Sequence, residues 1–445
     1  MSDLAPTLTG LQQALKKGLL SPDESIGAQR ARLERLDDRF GCVVTAFDTP
    51  DGNTLAPSAE GALVGIGLAH KDIFDLPGRA PGVGHDRGSR DAHRRIAPAI
   101  DRLKRCGAAH MAALTMAEYA CGATGRNPRF KPCINPLHAQ AVVGGSSSGS
   151  AVAVSSEMVY GSLGTDTAGS VRIPAATCGL LGLKTTHGLL PTEGVQALAP
   201  SLDGVGLLTR SAADAEALLM TLHPALGAAH RGGSTPPRVK AWLPEAQLHP
   251  AVERALSQLA GDCQATERLV QLSEYAVLTG LAEIVLHHEA ALTHNQALLA
   301  CTLCATVEAV ALPGLAIPQA WYEAAIAARS QHARAFFAAH LKDHDVLLLP
   351  ALPRPVPDWD SVDADSPNFK VRELLALHQF MGFVNYLGFP SVVIPIAHDD
   401  RGMPITAQLM GRPHEELTLL ALAHTIELQR FGSSGFTRPF SHLKD

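Results

Sequence analysis

The chain has 445 residues, 46% of them hydrophobic and 18% charged, which supplies a large buried core and excludes disorder over most of its length. Its net charge of −6 comes without any lysine- and arginine-rich block, so neither nucleic acid nor an anionic membrane surface is an expected partner. The start, MSDLAPTLTGLQQALKKG, lacks the apolar core of a signal peptide, no run approaches a membrane span, and eight scattered cysteines read as reduced thiols, so the expected compartment is the cytoplasm.

The first 40 residues read as two helices. Leu8, Leu11 and Leu15 share a face before Gly18, and Ser21-Pro22-Asp23-Glu24 forms a capping box with proline at the first helical position. The second helix carries Ile26, Leu33 and Leu36 on one side as far as Asp37 and Asp38. Strands are expected at 43–47 and 63–69, then an amphipathic helix at 96–106 closed by Gly107, and a small-residue helix at 148–158. Residues 180–184, 197–202 and 205–208 read as short buried strands or turns. Alanine-rich helices cover 213–222 and 275–341, and 228–238 (AAHRGGSTPPR) is the best linker. Strands at 345–350, 391–395 and 405–410 follow. This alternation implies an α/β domain whose sheet is mostly buried.

Two groups resemble metal sites and are read otherwise. Cys301 and Cys304 form a lone CxxC in an alanine- and leucine-rich stretch, which favours core packing. His287, His288 and His294 lack the H-E-x-x-H spacing that puts two imidazoles on one helix face, and read as structural or pocket-lining residues. No metal and no cofactor is expected.

The chemistry concentrates at 144–170, GGSSSGSAVAVSSEMVYGSLGTDTAGS, where two Gly/Ser-rich turns each present a serine. A serine hydroxyl is a weak nucleophile until a base takes its proton and donors stabilise the oxyanion. The second turn is rich in small residues from Thr165 to Ser170, so successive N–H groups can face one concavity. The best base is Lys71, at the end of the apolar run ALVGIGLAHK; a lysine serves near neutral pH only when desolvation lowers its usual pKa of about 10.4. Gly145-Ser146-Ser147-Ser148-Gly149 also fits the G-x-S-x-G nucleophile elbow, which would make Ser147 the nucleophile of an esterase. That reading leaves Lys71 and the second turn without a role.

Together these residues resemble the amidase signature family of serine hydrolases. The pattern GGSS-x-GS…G-T-D-x-G-G-S-[IV]-R-x-P is matched at 144–150 and 164–174, with the family's separation between Ser146 and Ser170. Residues 109–120, Thr124-Gly-Arg-Asn127 and Asn135-Pro136 are similar to the segment before the serine loop. GLLGLKTTHGLLP, APSLDGVGLLTRSAADA, DVLLLPALP, FVNYLGFPSVVIP and GMPITAQLMGRP follow in family order. Only about 231–341 lacks family wording.

The resemblance implies a three-layer α/β/α fold with a large mixed, mostly buried sheet covered by helices. It implies one domain over 1–445: N-terminal helices at 1–40, a core of 41–227 and 342–445, and a variable helical substrate region at about 231–341. The implied reaction is hydrolysis of a carboxylic acid amide C–N bond, releasing ammonia or amine and a carboxylate. Its implied partners are a small-molecule amide and water, with a homodimer left open. Ser170 would be the nucleophile, Ser146, after a cis peptide from Gly145, the bridging serine, and Lys71 the general base. The N–H groups of Thr167, Ala168, Gly169 and Ser170 would hold the oxyanion. Asp166 and Arg172 would hold the loop, and the Ala120 backbone would meet the acyl side. The variable region, with His287, His288, Glu289, His294, Trp321 and Tyr322, would build the acyl pocket. The alternative is a glutamine-amidotransferase-like subunit that works with a partner.

Three positions depart from the family. Ala168 replaces the first glycine of G-G-S and adds a Cβ beside the oxyanion site, acceptable if its φ is negative. Thr185 stands where proline is usual. His70 precedes Lys71 where an apolar residue is commoner, and a neutral ring turned away from the lysine is expected.

Overall fold

Among the residues that the computed structural model describes (4–47, 60–86, 88, 95–229, 237–343, 345–432 and 436), two sheets form. The smaller contains β1 (Val43–Ala46), β2 (Gly67–Lys71) and β3 (Ala109–Leu114) in the order β1-β3-β2, with β1 antiparallel and β2 parallel to β3. The larger sheet has eight strands: β4 (Gly161–Asp166), β5 (Leu181–Lys184), β6 (Gly204–Thr209), β7 (Val239–Trp242), β8 (Glu267–Leu269), β9 (Val346–Pro350), β10 (Ser391–His398) and β11 (Pro404–Gly411). Their order is β4-β6-β5-β10-β11-β9-β7-β8, antiparallel as far as β9 and parallel over β9-β7-β8.

The central strands are buried along nearly their whole length because both faces are covered. Val346 and Leu348 of β9 enter one cluster, while Leu347 and Leu349 enter another; alternate side chains of a strand point to opposite faces. Val392 and Ile394 of β10 pack with the helices Pro250–Asp262 and Glu416–Phe431, whereas Val393 packs with Ile173 and Ala176 of the helix Arg172–Thr177. The architecture is therefore three-layered α/β/α.

The two N-terminal helices form as their caps dictate. Thr7 caps Leu8–Lys16, and Ser21 and Glu24 close a reciprocal capping box on Pro22–Phe40, which ends at Gly41 with φ +65°. Other elements differ from the reading of the sequence. The strand expected at 63–69 lies at 67–71, after a turn in which the Ile66 N–H donates to the Leu63 carbonyl at 3.0 Å. This shift carries Lys71 into the strand. β3, AHMAAL, is buried at all six positions and so offers no polar alternation. β4 likewise emerges from a segment read only as a turn. Leucines around several sides of Glu416–Phe431 blur its helical period. β7 and β8 lie inside the segment expected to be a helical insertion, so that segment also supplies the parallel edge of the sheet. Of the linker expected at 228–238, residues 230–236 lie outside the described residues. Among the described residues, no helix is long and apolar enough to cross a membrane.

Candidate active site

Four chain segments meet at one place: the end of β2, the turn before the helix Ser148–Ser155, the end of β4, and the turn before the helix Arg172–Thr177. Lys71 closes β2 and is 1% exposed, and its Nζ donates to Ser146 Oγ and Thr165 Oγ1, each at 2.8 Å. Burial pushes its pKa down to about 7, against the opposing pull of Asp203 and Asp166. An amine held there is substantially neutral at physiological pH.

Ser146 follows a cis peptide bond from Gly145, and its carbonyl accepts from the Ala117 N–H at 3.0 Å. The Ser147 N–H donates to the Ser170 carbonyl at 3.2 Å, which ties the two serine turns together. Ala168 and Ser170 are partly exposed, whereas Thr165, Asp166, Thr167 and Gly169 are buried. Among the described residues the Ser170 hydroxyl makes no hydrogen bond.

Asp166 holds the turn from inside. Its carboxylate accepts from the N–H groups of Gly169 (2.9 Å), Val171 (3.2 Å) and Arg172 (3.3 Å), from Arg172 Nε (3.0 Å) and Nη2 (2.9 Å), and from Asn385 Nδ2 (3.0 Å). Burial opposes its ionisation, but the Arg172 charge and these donors prevail and hold the carboxyl well below the ordinary carboxylate range. Arg172 is itself fully buried and reaches Gln408 Oε1 at 2.6 Å and the Met381 carbonyl at 3.2 Å. Replacing Arg172 by leucine would leave Asp166 as an unpaired buried charge. The expected result is a loss of about 3–5 kcal/mol, read as a lower denaturation midpoint.

The Gly169 N–H is committed to Asp166, whereas among the described residues the N–H groups of Thr167, Ala168 and Ser170 make no hydrogen bond. The reason is geometric: Gly169 has φ +106°, which turns its N–H inward, and a Cβ there would lie 2.7 Å from Met381 Cγ. Ala168 is not among the residues with positive φ, so its Cβ carries no backbone strain. Ala120 is 3% exposed and, like Tyr119 before it, has positive φ. Its N–H donates to the Ala117 carbonyl at 3.0 Å, which leaves its carbonyl for any contact with substrate.

Ser147 sits differently. It is fully buried against β4, where a Cβ on Gly164 would lie 2.7 Å from Ser147 Oγ, and its hydroxyl has no partner among the described residues. A serine without access or base fits no nucleophile elbow. Thr185 Oγ1 donates to the Val205 carbonyl at 2.8 Å, a link that proline could not make. The His70 ring is not turned to an indifferent space: its Nδ1 accepts from the Leu163 N–H at 2.9 Å.

The polar residues of the variable segment divide. His294 packs on Tyr119, ring centroids 4.8 Å apart, beside Ala120. His288 stacks on Tyr322 at 4.3 Å, and the Tyr322 hydroxyl donates to Glu289, which also accepts from the Ser201 N–H. His287 Nδ1 lies 2.7 Å from the Val310 carbonyl. Trp321 is 61% exposed and lies on the surface rather than in the expected pocket. Cys301 is exposed and Cys304 partly buried. Among the described residues, no group of three or more His, Cys, Asp or Glu is placed to hold a metal ion.

A family model described as Amidase matches residues 31–229 and 310–420. The chain belongs to the amidase family. It is 37% identical over 215 residues to a glutamyl-tRNA(Gln) amidotransferase subunit from Anaeromyxobacter sp. (strain K), an alignment spanning 46% of this chain and 43% of that protein. The chain thus spans under half the length of that relative at this similarity. Against the corresponding amidotransferase subunit from Geobacter metallireducens the identity is 27% over 479 residues, covering 95% and 96%. A crystal structure of an amidase superposes with a TM-score of 0.80 at 28% identity, covering 95% of this chain and all of that one. The substrate complex of 6-aminohexanoate cyclic dimer hydrolase, at 20% identity and a TM-score of 0.83 over 96% and 97%, shares the fold.

Three residues gain a part at the site only in the folded chain. Thr165 is the second partner of Lys71. Asn385 braces Asp166, also reaching its backbone carbonyl at 2.9 Å. Asp203 accepts from Thr167 Oγ1 at 2.6 Å and from the N–H groups of Leu198 (2.9 Å) and Ala199 (3.2 Å). Burial raises its pKa to about 6, against these donors. Its place in APSLDGVG was the available signal. Because an ionised Asp203 raises the Lys71 pKa, Asp203→Asn is expected to lower it. The acid limb of the pH–rate profile then moves to lower pH, and a limb that stays put or moves up contradicts this coupling.

Proposed function

We propose that this chain hydrolyses a carboxylic amide C–N bond through an acyl-enzyme on Ser170. The observation that carries the reading is the buried Lys71 amine, held near neutrality and bonded to Ser146 beside a turn with free N–H groups. Neutral Lys71 takes the Ser146 proton as Ser146 takes that of Ser170, and Ser170 Oγ attacks the amide carbon. The carbonyl electron pair moves onto oxygen, which the N–H groups of Thr167, Ala168 and Ser170 receive. As the C–N bond breaks, the proton returns from Lys71 through Ser146 to the leaving nitrogen. Water, deprotonated by the same relay, attacks the acyl ester; the Ser170 oxygen leaves and takes the proton back through Ser146, and the carboxylate is freed. Asp166 and Arg172 hold the turn without exchanging protons.

The test is ammonia or amine release from a panel of primary and secondary amides, run beside fluorophosphonate labelling. Turnover together with labelling at Ser170 supports the reading, and labelling at Ser147 instead would overturn it. The similarity to glutamyl-tRNA(Gln) amidotransferase subunits favours a second reading, in which the chain supplies ammonia to a partner. Copurification of the native protein with a stoichiometric partner, and glutamine turnover only in that complex, would select it.

A further inference from the structure

β2 carries Lys71 and lies beside β4, which carries Thr165 and Asp166, yet no ladder joins the two strands. At the start of β2 the Tyr160 N–H reaches the Gly67 carbonyl at 3.3 Å. Nearer the site the link is made by a side chain, the Leu163 N–H donating to His70 Nδ1 at 2.9 Å. The other edge of β4 is paired with β6 from Gly161 to Asp166. A buried strand N–H without an acceptor is strongly disfavoured, and Leu163 is 1% exposed. The imidazole therefore occupies the place of a strand carbonyl, one residue before the base.

This role fixes the protonation of the ring. Nδ1 must offer its lone pair, so the proton sits on Nε2, and an imidazolium would set N–H against N–H. Burial acts in the same direction and holds the ring well below the ordinary histidine range. The titratable groups around it add no cation of their own accord. His110 of β3, with its ring centroid 5.0 Å away, is pushed by burial down to about 4. Asp72 is paired with Arg79 at 2.6 Å, and among the described residues that line the cavity beside His70 the other titratable group is Lys71 itself.

We propose that His70 is a positioning residue for the general base: its neutral ring bonds β2 to β4 and so holds Lys71 Nζ in reach of Ser146 and Thr165. The proposal rests on Lys71 acting as that base. A displacement on the order of 1 Å at a catalytic group can cost about a hundredfold in rate.

Two substitutions separate the hydrogen bond from the volume of the ring. His70→Asn keeps an acceptor close to the Nδ1 position, and His70→Leu fills space without one. The probe is the second-order rate of fluorophosphonate labelling at Ser170, read with hydrogen exchange of the β4 peptide containing Leu163. The Leu variant is expected to label roughly 10–100 times more slowly and to exchange faster at Leu163, while the Asn variant recovers both. Wild-type labelling in a folded Leu variant, or an Asn variant no better than Leu, overturns the proposal. Should the Leu variant fail to fold, the nitrogen NMR shifts of His70 in the native chain decide, since a protonated Nδ1 overturns the proposal and an Nε2–H tautomer sustains it. Lys71→Met run in parallel keeps the outcomes apart. If that variant labels normally, the base assignment fails whatever His70 does.

Discussion

Replacing Ser170 by alanine is expected to lower amide hydrolysis by roughly four to six orders of magnitude and to abolish fluorophosphonate labelling, since losing a serine nucleophile removes nearly all of a relay that acts as one unit. Ser170 is partly exposed at the mouth of a buried turn, and its N–H, like those of Thr167 and Ala168, makes no hydrogen bond among the described residues. The turn is braced by Asp166 and Arg172, so the substitution removes one oxygen without disturbing the frame. Ser147→Ala is the matched control. Its hydroxyl is buried and without a partner among the described residues, so activity should be retained. Activity lost in Ser147→Ala and kept in Ser170→Ala would reverse the assignment.

Lys71→Met is expected to lower turnover by about a thousandfold, the middle of the range that a positioned acid–base group contributes. The unbranched side chain keeps most of the volume and removes only the nitrogen. The pH dependence identifies the group. The relay needs the neutral amine, and the Lys71 pKa lies at about 7, so wild-type activity should rise with pH through about 7 and then level. That limb should vanish in the variant. Stability follows the same sign. A lysine whose pKa falls on folding binds fewer protons in the native state, so between about 7 and its ordinary value stability rises with pH, and below about 7 the buried charge is a full cost. Lys71→Met should therefore melt no lower than the wild type at pH 6. A variant that is inactive and also melts much lower would point to lost structure rather than a lost base.

Much of the site was legible because its residues are local in the chain. Asp166, Thr167, Ala168, Gly169, Ser170 and Arg172 fall within a single turn, and an isolated lysine after an apolar run stands out against any background. Asn385 and Gln408 were not legible, because an ordinary Asn or Gln gains meaning only from what it meets. Gln408 looks like a solvent-facing residue of a strand until Arg172 is placed against it at 2.6 Å. The fate of the Gly169 N–H was hidden for a similar reason. A small-residue turn offers several donors, and only the direction of each peptide tells which are spent on Asp166.

What the sequence determined by itself was the family pattern and the two capped N-terminal helices, and it singled out the candidate serines and lysine. These depend on residue type and short spacing, which steric and hydrogen-bonding rules read directly. The tertiary structure alone decided that Lys71 reaches Ser146 and Thr165, that Ser147 is sealed beneath Gly164, and that His70 serves as a strand acceptor. Each of these joins segments 75 or more residues apart, or depends on burial. The lowered pKa of the lysine belongs to that second class: it is a property of the water excluded around it, and no stretch of chain carries it alone.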